Sequence, residues 1–274
     1  MDALLFGTAG IPCVTTGSTI DGIKDVKKLG LGAFELEFVR GVNIKEEKAP
    51  EIKKVSKENG VVLTNHAPYW INLNSSDKKK YYASINYIVD SAKIAHLCGA
   101  YSTAFHAGFY QGIEKEKVYN KIKGGLKEIE KMLKARDINI IIRPELTGKP
   151  TQFGDLKELI KLSQDIENVM PCIDFAHLHA RYNGKYNSYA EFSSVLAEIE
   201  KSLGRDALNN MHIHLAGINY NEKGERNHLN LKDSDMNYKD LLKAFKDFKI
   251  RGIVISESPN IEQDALLLKK EYTI

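Results

Sequence analysis

Six successive short apolar segments of the chain end in, or are directly followed by, a residue that can bind a metal ion. These residues are His66, His106, Glu145, Asp174, His214 and Glu257. Only 36 of the 274 residues are acidic and 8 are histidine, so six successive occurrences by chance are very improbable. If the segments are parallel strands of a barrel, their carboxyl ends lie on one face, where barrel active sites are built. The pattern therefore predicts a metal centre at one rim.

The residue types indicate which ions and which chemistry to expect. Imidazoles and carboxylates without thiolates suit zinc, manganese or ferrous iron, whereas all-oxygen sites suit magnesium or calcium. Three imidazoles and three carboxylates exceed what one zinc ion needs. The surplus indicates at least two ions joined by a bridging carboxylate, an arrangement that stabilises both the attacking and the leaving oxygen in displacement at phosphorus. This favours phosphoester chemistry.

Three further residues are candidates for a third ion. His177 follows Asp174 by three positions, and Glu225 and His228 lie in the segment KGERNHLNL, predicted as a loop after the seventh strand. The alternative for the last two is a solvated loop that contains a histidine.

Four other polar residues lie near these positions but are not among the predicted ligands. His179 falls in a predicted polar loop, and His212 shares a strand face with His214 but lies one layer deeper. The segment AFELEF directs Glu35 and Glu37 towards the barrel. A carboxylate near the rim would repel phosphate unless it is paired or bound to metal.

The candidate residues need elements that bring them together, and the chain supplies eight apolar runs separated by amphipathic stretches. The predicted strands are 4–8, 33–39, 61–65, 102–106, 138–143, 169–174, 211–215 and 252–257. Helices are predicted at 44–57, 82–96, 118–133, 155–162, 189–202, 238–248 and 261–270, where apolar residues recur every three or four positions. Eight βα units predict an α/β fold with a parallel sheet covered by helices, and a (β/α)8 TIM barrel formed by one domain, 1–274. A doubly wound sheet is the rival, but GTAGIP is not the phosphate turn GxGxxG.

Composition restricts the class of protein. The chain is 43% hydrophobic and 27% charged, which excludes disorder, and its net charge of +3 allows but does not imply a polyanionic partner. Cys13, Cys98 and Cys172 show no CxxC spacing, which fits a reducing cytoplasm. No stretch approaches the roughly 18 apolar residues of a membrane span, and no signal peptide is seen, so we expect a cytoplasmic protein without a membrane partner.

The motifs resemble those of a known family. The runs NHAPYWINLNS, FHAG, RPELTG, CIDFAH, HIHLAG and VISES, in this order, resemble endonuclease IV, the zinc-dependent apurinic/apyrimidinic endonucleases with a xylose-isomerase-like barrel. The similarity extends from about Phe6 to Pro259. It implies a monomeric DNA repair enzyme that hydrolyses duplex DNA 5′ of an abasic site, leaving a 3′-hydroxyl and a 5′-deoxyribose phosphate.

The resemblance assigns roles to the candidate residues. His66 and His106 look like ligands of a first zinc ion, and Glu145 looks like the catalytic carboxylate that bridges it to a second. Asp174, His214 and Glu257 look like the other ligands of the second ion, and His177 like a ligand of a third. The family's remaining third-site ligands form Asp-x-His, whereas this chain has Glu225 and His228 at one residue longer spacing. We therefore expect two or three zinc ions per chain, with manganese as the alternative ion.

Three residues lie where the family places side chains that fill the gap left by a flipped-out abasic nucleotide. They are Arg40, after the second strand, and Tyr69 and Trp70, after His66. The alternative for Trp70 is an aromatic side chain packed under its own loop.

Two other functions remain open. A sugar isomerase or epimerase on the same barrel would bind divalent ions with several of the same strand-end residues, but His106 and His177 give more imidazoles than such an enzyme needs. A protein that binds damaged DNA without cutting it would retain the aromatic loop residues but lose a bridging ligand, and Glu145 is present.

Overall fold

The computed structural model describes residues 1–274, and its centre is a barrel of eight parallel strands. In chain order these strands are β1 (Leu4–Ala9), β2 (Ala33–Glu37), β3 (Val62–His66), β4 (Ser102–Phe105), β5 (Ile141–Pro144), β6 (Cys172–Asp174), β7 (Met211–Leu215) and β10 (Gly252–Ser256). Hydrogen bonding follows the order β5-β4-β3-β2-β1-β10-β7-β6. The remaining seam, between β5 and β6, is joined by two parallel bridges, Ile142 to Val169 and Glu145 to Cys172. The TIM-barrel prediction is confirmed, and the open doubly wound sheet is excluded.

Nearly every residue of these strands is buried, either against the helices outside the barrel or in the barrel interior, and this burial stabilises the strands. Along β2, Phe34 and Leu36 join the large apolar core, while Ala33, Glu35 and Glu37 alternate with them and face the opposite side. The large core contains 65 buried residues drawn from both strands and helices. A separate small cluster of Ala33, Ile253 and Ile255 occupies part of the barrel interior. The rest of the interior is therefore available to polar side chains.

Helices follow the strands and cover the outside of the barrel. They are α1 (Thr19–Lys28), α2 (Ala49–Asn59), α3 (Lys78–Leu97), α4 (Lys115–Ala135), α5 (Leu156–Asp165), α6 (Phe175–Arg181), α7 (Tyr189–Leu203), α8 (Arg205–Leu208), α9 (Tyr238–Asp247) and α10 (Glu262–Thr273). Several begin at a capping carboxylate: Asp77 accepts hydrogen bonds from the first turn of α3, and Asp155 from that of α5. No helix is both long enough and apolar enough to cross a membrane.

The structure corrects several predictions around the barrel. Helix α1 lies in the connection between the first two strands, for which the sequence pattern predicts no helix. His179 lies in helix α6 and not in a polar loop, because Asp174 caps the helix directly at the end of β6. The predicted loop that contains Glu225 and His228 is an antiparallel hairpin of β8 (Gly217–Asn221) and β9 (Gly224–Leu229). The fifth and sixth strands also begin three residues later than predicted.

Candidate metal centre

Glu145 occupies the middle of the cluster of strand-end side chains. Its backbone N–H donates to the carbonyl of Phe105, which fixes the residue just beyond β5, and its side chain is buried. One carboxylate oxygen, Oε2, lies 2.9 Å from His66 Nε2 and 3.2 Å from His106 Nε2. The other, Oε1, lies 3.1 Å from His177 Nδ1 and 3.4 Å from His214 Nδ1. The two oxygens of one carboxylate thus face different pairs of imidazoles.

Two groups of potential ligands share this carboxylate. The first consists of His66, His106 and Glu145, and the second of Glu145, Asp174, His214 and Glu257; within each group the ligand atoms lie within 4.8 Å of one another. Three atoms of the second group, Glu145 Oε1, Asp174 Oδ2 and His214 Nδ1, are buried and have no hydrogen-bond partner. Buried polar atoms without partners are costly. A divalent ion bound between these three atoms would provide the partner that each of them lacks, so the donor set fits such an ion.

A third group lies beside the second. Asp174, His177 and His228 form it, and the Nε2 atoms of the two histidines are 3.3 Å apart. Asp174 Oδ1 accepts the His177 backbone N–H at 2.7 Å and leaves Oδ2 directed into the cluster. Glu225 is also near, with Oε2 3.6 Å from His177 Nε2. All nine residues predicted as ligands are therefore brought to one place.

The close approach of Glu225 depends on a glycine in the loop after β5. A Cβ atom on Gly148 would lie 2.6 Å from Glu225 Cβ and 2.7 Å from its Oε2. The carbonyl of Gly148 also accepts the backbone N–H of Glu225. Any side chain at position 148 would force the hairpin away from His177.

The electrostatics of the cluster favour charged imidazoles and an ionised Glu145 when no ion is bound. Burial alone would raise the pKa of Glu145, but attraction to His106 and His214 holds it well below its usual range. Burial opposes protonation of His66, yet its contact with Glu145 raises the pKa of the imidazole to about 10. Burial likewise opposes protonation of His177, and Asp174 and Glu145 hold its pKa well above the ordinary value.

Two carboxyl groups of the cluster are shifted in the opposite direction. Burial raises the pKa of Asp174 to about 6, and burial together with repulsion from Glu35 raises the pKa of Glu37 to about 8. Glu37 lines the cavity above the cluster, and its Oε1 is buried without a hydrogen-bond partner. The chain thus holds more carboxyl groups at the centre than the predicted ligands alone provide.

Beneath the cluster, Glu35 is fully buried between His212 and His214, 2.9 Å from the Nε2 atom of each. Burial lowers the pKa of His212 to about 4, so this imidazole is neutral. The predicted deeper position of His212 agrees with its burial and with its contact to Ser102. Glu35 thus points into the barrel and is paired, as the sequence suggested for a carboxylate in this strand, but its two imidazole partners were not predicted.

A cavity of about 470 Å³ opens above the cluster. Its lining includes His66, His106, His177, His228 and Glu257, and also Tyr69. Four of the predicted imidazole ligands therefore face the cavity, whereas Glu145, Asp174 and His214 are not in its lining.

The residues predicted to contact DNA are all exposed beside this cavity or near it. Tyr69 is 52% exposed and lines it, while Trp70 is 43% exposed and contacts Tyr69 and Tyr87 in edge-to-face geometry. Arg40 is exposed and follows Val39, which lines the cavity. Trp70 and Arg40 are not themselves in the lining.

His179, expected in a polar loop, is buried and has a different role. Its Nε2 lies 3.1 Å from Asp235 Oδ1, and the hydroxyl of Tyr220 donates to Asp235 Oδ2 at 2.6 Å. Asp235 thus connects helix α6, which contains His177, with strand β8 of the hairpin, which contains His228 on its other strand. The histidine is therefore a structural link between two elements of the third group.

Comparisons with known proteins agree with this fold. Residues 23–271 match the model of the xylose isomerase-like TIM barrel. An uncharacterized protein of Methanocaldococcus jannaschii is 45% identical over 269 residues, 98% of this chain and 97% of that protein. A Mycoplasma genitalium protein named "Probable endonuclease 4" is 23% identical over 215 residues, 77% of this chain and 71% of that one.

Solved structures of two kinds share the architecture. Endonuclease IV from Thermus thermophilus superimposes with a TM-score of 0.73 at 19% identity, covering 97% of this chain and 98% of that chain. A D-tagatose 3-epimerase-like protein gives a TM-score of 0.72 at 18% identity, covering 97% of both chains. These likenesses establish the fold and do not distinguish between the two activities.

Proposed function

The chain belongs to the xylose isomerase-like TIM-barrel family, and from this premise we propose that it is a metal-dependent phosphodiesterase acting on DNA. The proposed reaction is hydrolysis of the backbone of duplex DNA 5′ of an abasic site, which leaves a 3′-hydroxyl and a 5′-deoxyribose phosphate. The whole chain, 1–274, would act as one catalytic domain.

The placement of Glu145 carries this proposal. Its Oε2 faces His66 and His106 of the first group, whereas its Oε1 faces His214 of the second. A carboxylate whose two oxygens face separate imidazole groups suits two ions a few ångströms apart, and paired ions are typical of enzymes that displace at phosphorus. An enzyme that uses one ion would have no need of the His66 and His106 pair.

The first ion would be held by His66, His106 and Glu145, and the second by Glu145, Asp174, His214 and Glu257. His177, His228 and Glu225 would hold a third. Zinc, or manganese in its place, would supply Lewis acidity and lower the pKa of water at the phosphate. Neutral imidazoles and ionised carboxylates are the forms that bind such ions, so Glu145, which stays ionised, is ready to bind.

The exposed side chains beside the cavity suit a nucleic acid better than a free sugar. Tyr69 lines the cavity with an exposed aromatic face, Trp70 contacts it outside the lining, and both are of the type on which bases stack. Arg40 adds an exposed positive charge directly after Val39, which lines the cavity. Removing a nucleotide from the stack costs least where a base is already missing. An abasic site is therefore the DNA lesion that we propose for a metal cluster beneath a cavity with an exposed tyrosine in its lining.

One observation favours a second candidate, a sugar epimerase. Glu37 projects into the same cavity with an unpartnered oxygen, and a carboxyl whose pKa is raised to about 8 by burial is suited to moving a proton to and from carbon. The related epimerase structures have the same fold. In that reaction the aromatic residues at the mouth would have no role.

The two candidates separate in one experiment. Purified protein is incubated with a duplex oligonucleotide that carries one tetrahydrofuran abasic analogue, with and without a chelator, and its metal content is measured in parallel. The analogue resists β-elimination, so a 3′-hydroxyl product arises only by hydrolysis. The proposal expects chelator-sensitive incision. Bound metal without incision, together with epimerisation of a ketose, would support the second candidate instead.

A further inference from the structure

A buried glutamate below the candidate metal centre contacts two imidazoles at once. Glu35 Oε1 lies 2.9 Å from His214 Nε2, and Glu35 Oε2 lies 2.9 Å from His212 Nε2. All three side chains have zero exposure, and none of them lines the cavity. The contact therefore cannot involve substrate directly.

The contact crosses the barrel interior and is not a feature of neighbouring strands. Glu35 is on β2 and both histidines are on β7, and strands β1 and β10 lie between these two in the sheet. His212 and His214 are two residues apart, so both rings point to the same side of β7. Glu35 meets this pair because alternate residues of β2 also face inward.

The chemistry of a carboxylate determines which nitrogen of each ring carries hydrogen. An ionised carboxylate can only accept hydrogen bonds, so the two 2.9 Å contacts with Glu35 favour a hydrogen on the Nε2 atom of each ring. Neither Glu35 oxygen has a hydrogen bond of regular geometry, and the two Nε2 atoms lie 3.2 Å apart, so these contacts are close polar contacts. A neutral imidazole then has its lone pair on Nδ1. In His212 this lone pair faces the hydroxyl of Ser102, 3.0 Å away.

In His214 the free Nδ1 points in the other direction, into the second group of ligands. It lies 3.4 Å from Glu145 Oε1 and 3.3 Å from Glu257 Oε1, and it has no hydrogen-bond partner. A metal-binding histidine is commonly held by a carboxylate on its other nitrogen, which fixes the tautomer and the orientation of the ring.

We infer that Glu35 is a positioning residue that fixes His214 in the tautomer whose Nδ1 can bind a divalent ion, with Ser102 and His212 holding Glu35 in place. The inference rests on the proposed metal centre. It adds to that centre a chain of four residues, Ser102, His212, Glu35 and His214, that lies entirely within the barrel.

Stability alone does not account for this arrangement. A carboxylate removed from water is costly, and replacing a buried polar pair by apolar side chains of similar volume is often neutral or stabilising. The same barrel interior already contains the apolar cluster of Ala33, Ile253 and Ile255. A further inward apolar residue at position 35 would extend that cluster at less cost, but would leave His214 free to rotate.

The test measures metal binding and tautomer in place of turnover. Ion content and affinity are determined by competition with a chromophoric chelator for the wild type, E35A, E35Q and S102A. The control is D264N, which neutralises a carboxylate of similar burial that accepts the Leu231 N–H and touches no histidine. Long-range ¹⁵N–¹H NMR spectra of the zinc-loaded wild type report which ring nitrogen of His214 carries hydrogen.

The inference expects the wild type to show His214 protonated on Nε2 only. It expects E35A and E35Q to bind one of the ions about 10- to 100-fold more weakly, with the others unchanged and D264N like the wild type. The glutamine retains one acceptor oxygen but turns an NH₂ group towards the other ring. S102A, which removes only one hydroxyl and retains the fold, should weaken the same ion by a smaller factor.

The outcomes separate two kinds of failure. If the wild type binds no divalent ion, the proposed metal centre fails and the inference fails with it. If the wild type binds ions and the variants at positions 35 and 102 bind all of them equally well, only the inference is overturned. A His214 signal from hydrogen on Nδ1 in the zinc-loaded wild type would also overturn it.

Discussion

Glu225 Oε2 lies 3.6 Å from His177 Nε2, which places the carboxylate of a hairpin against an imidazole of helix α6. This distance is longer than the contacts that Asp174 and Glu145 make with the same histidine, at 3.2 Å and 3.1 Å. Glu225 is thus the outermost carboxylate of the third group, whereas Asp174 takes part in two groups.

The two carboxylates should therefore differ in importance. We expect D174A to lower the rate of incision by on the order of 10³-fold, because it removes a ligand of the second ion that also belongs to the third group, and E225A by on the order of 10-fold. Metal analysis should show one ion fewer in E225A. Equal losses of rate in the two variants would show that Glu225 is as essential as Asp174.

The bridging role of Glu145 predicts a large loss of activity without a loss of fold. E145Q retains the shape of the side chain but not its charge, and it should lower incision by on the order of 10³-fold or more. Circular dichroism should stay unchanged, and E167Q, which removes the charge of an exposed carboxylate paired with Lys134, controls for the loss of one negative charge. Near-normal turnover by E145Q would contradict the two-ion mechanism.

Trp70 should contribute to DNA affinity and not to metal content. W70A removes an exposed aromatic face beside Tyr69, and stacking of a base on such a face contributes about 1 to 3 kcal/mol, or roughly 5- to 150-fold in Kd. Fluorescence anisotropy with abasic duplex DNA measures the change. Y82A, which removes an exposed aromatic side chain that is not in the lining of the cavity, is the control. An unchanged Kd for W70A would assign the indole to packing against Tyr87.

Metal binding should release protons. Before ions bind, Glu145 raises the pKa of His66 to about 10, and the pKa values of His177 and His214 also lie well above their usual range. His66 therefore carries an additional proton at about pH 7.5 and must lose it to bind an ion, and the raised pKa values of His177 and His214 act in the same direction, so protons should leave when ions bind. The apparent affinity should consequently rise with pH up to about 10. Calorimetry in buffers of different ionisation enthalpy measures the number, and zero release would show that the rings are already neutral.

The sequence predicted the barrel and the cluster because both depend on local signals. Apolar runs mark the strands, and parallel strands place their ends on one face, so His66 and Glu257 line the same cavity although they are far apart in the chain. The hairpin of β8 and β9 was not predicted, because its residues are mostly polar and half exposed and its contacts are with Gly148 and Asp235, which lie outside it in the chain. The contact of Glu35 with β7 was missed because it crosses the barrel between strands that are not neighbours, and no sequence periodicity reports it.

The central claim is that two ions joined by Glu145 act together on a phosphodiester. The most direct test is to remove all metal from the protein, restore zinc in steps, and measure hydrolytic incision of the tetrahydrofuran duplex after each step. We predict negligible incision with up to one equivalent of zinc per chain and a steep rise as the second is bound. Full activity at one equivalent, or no incision with every site filled, would contradict it.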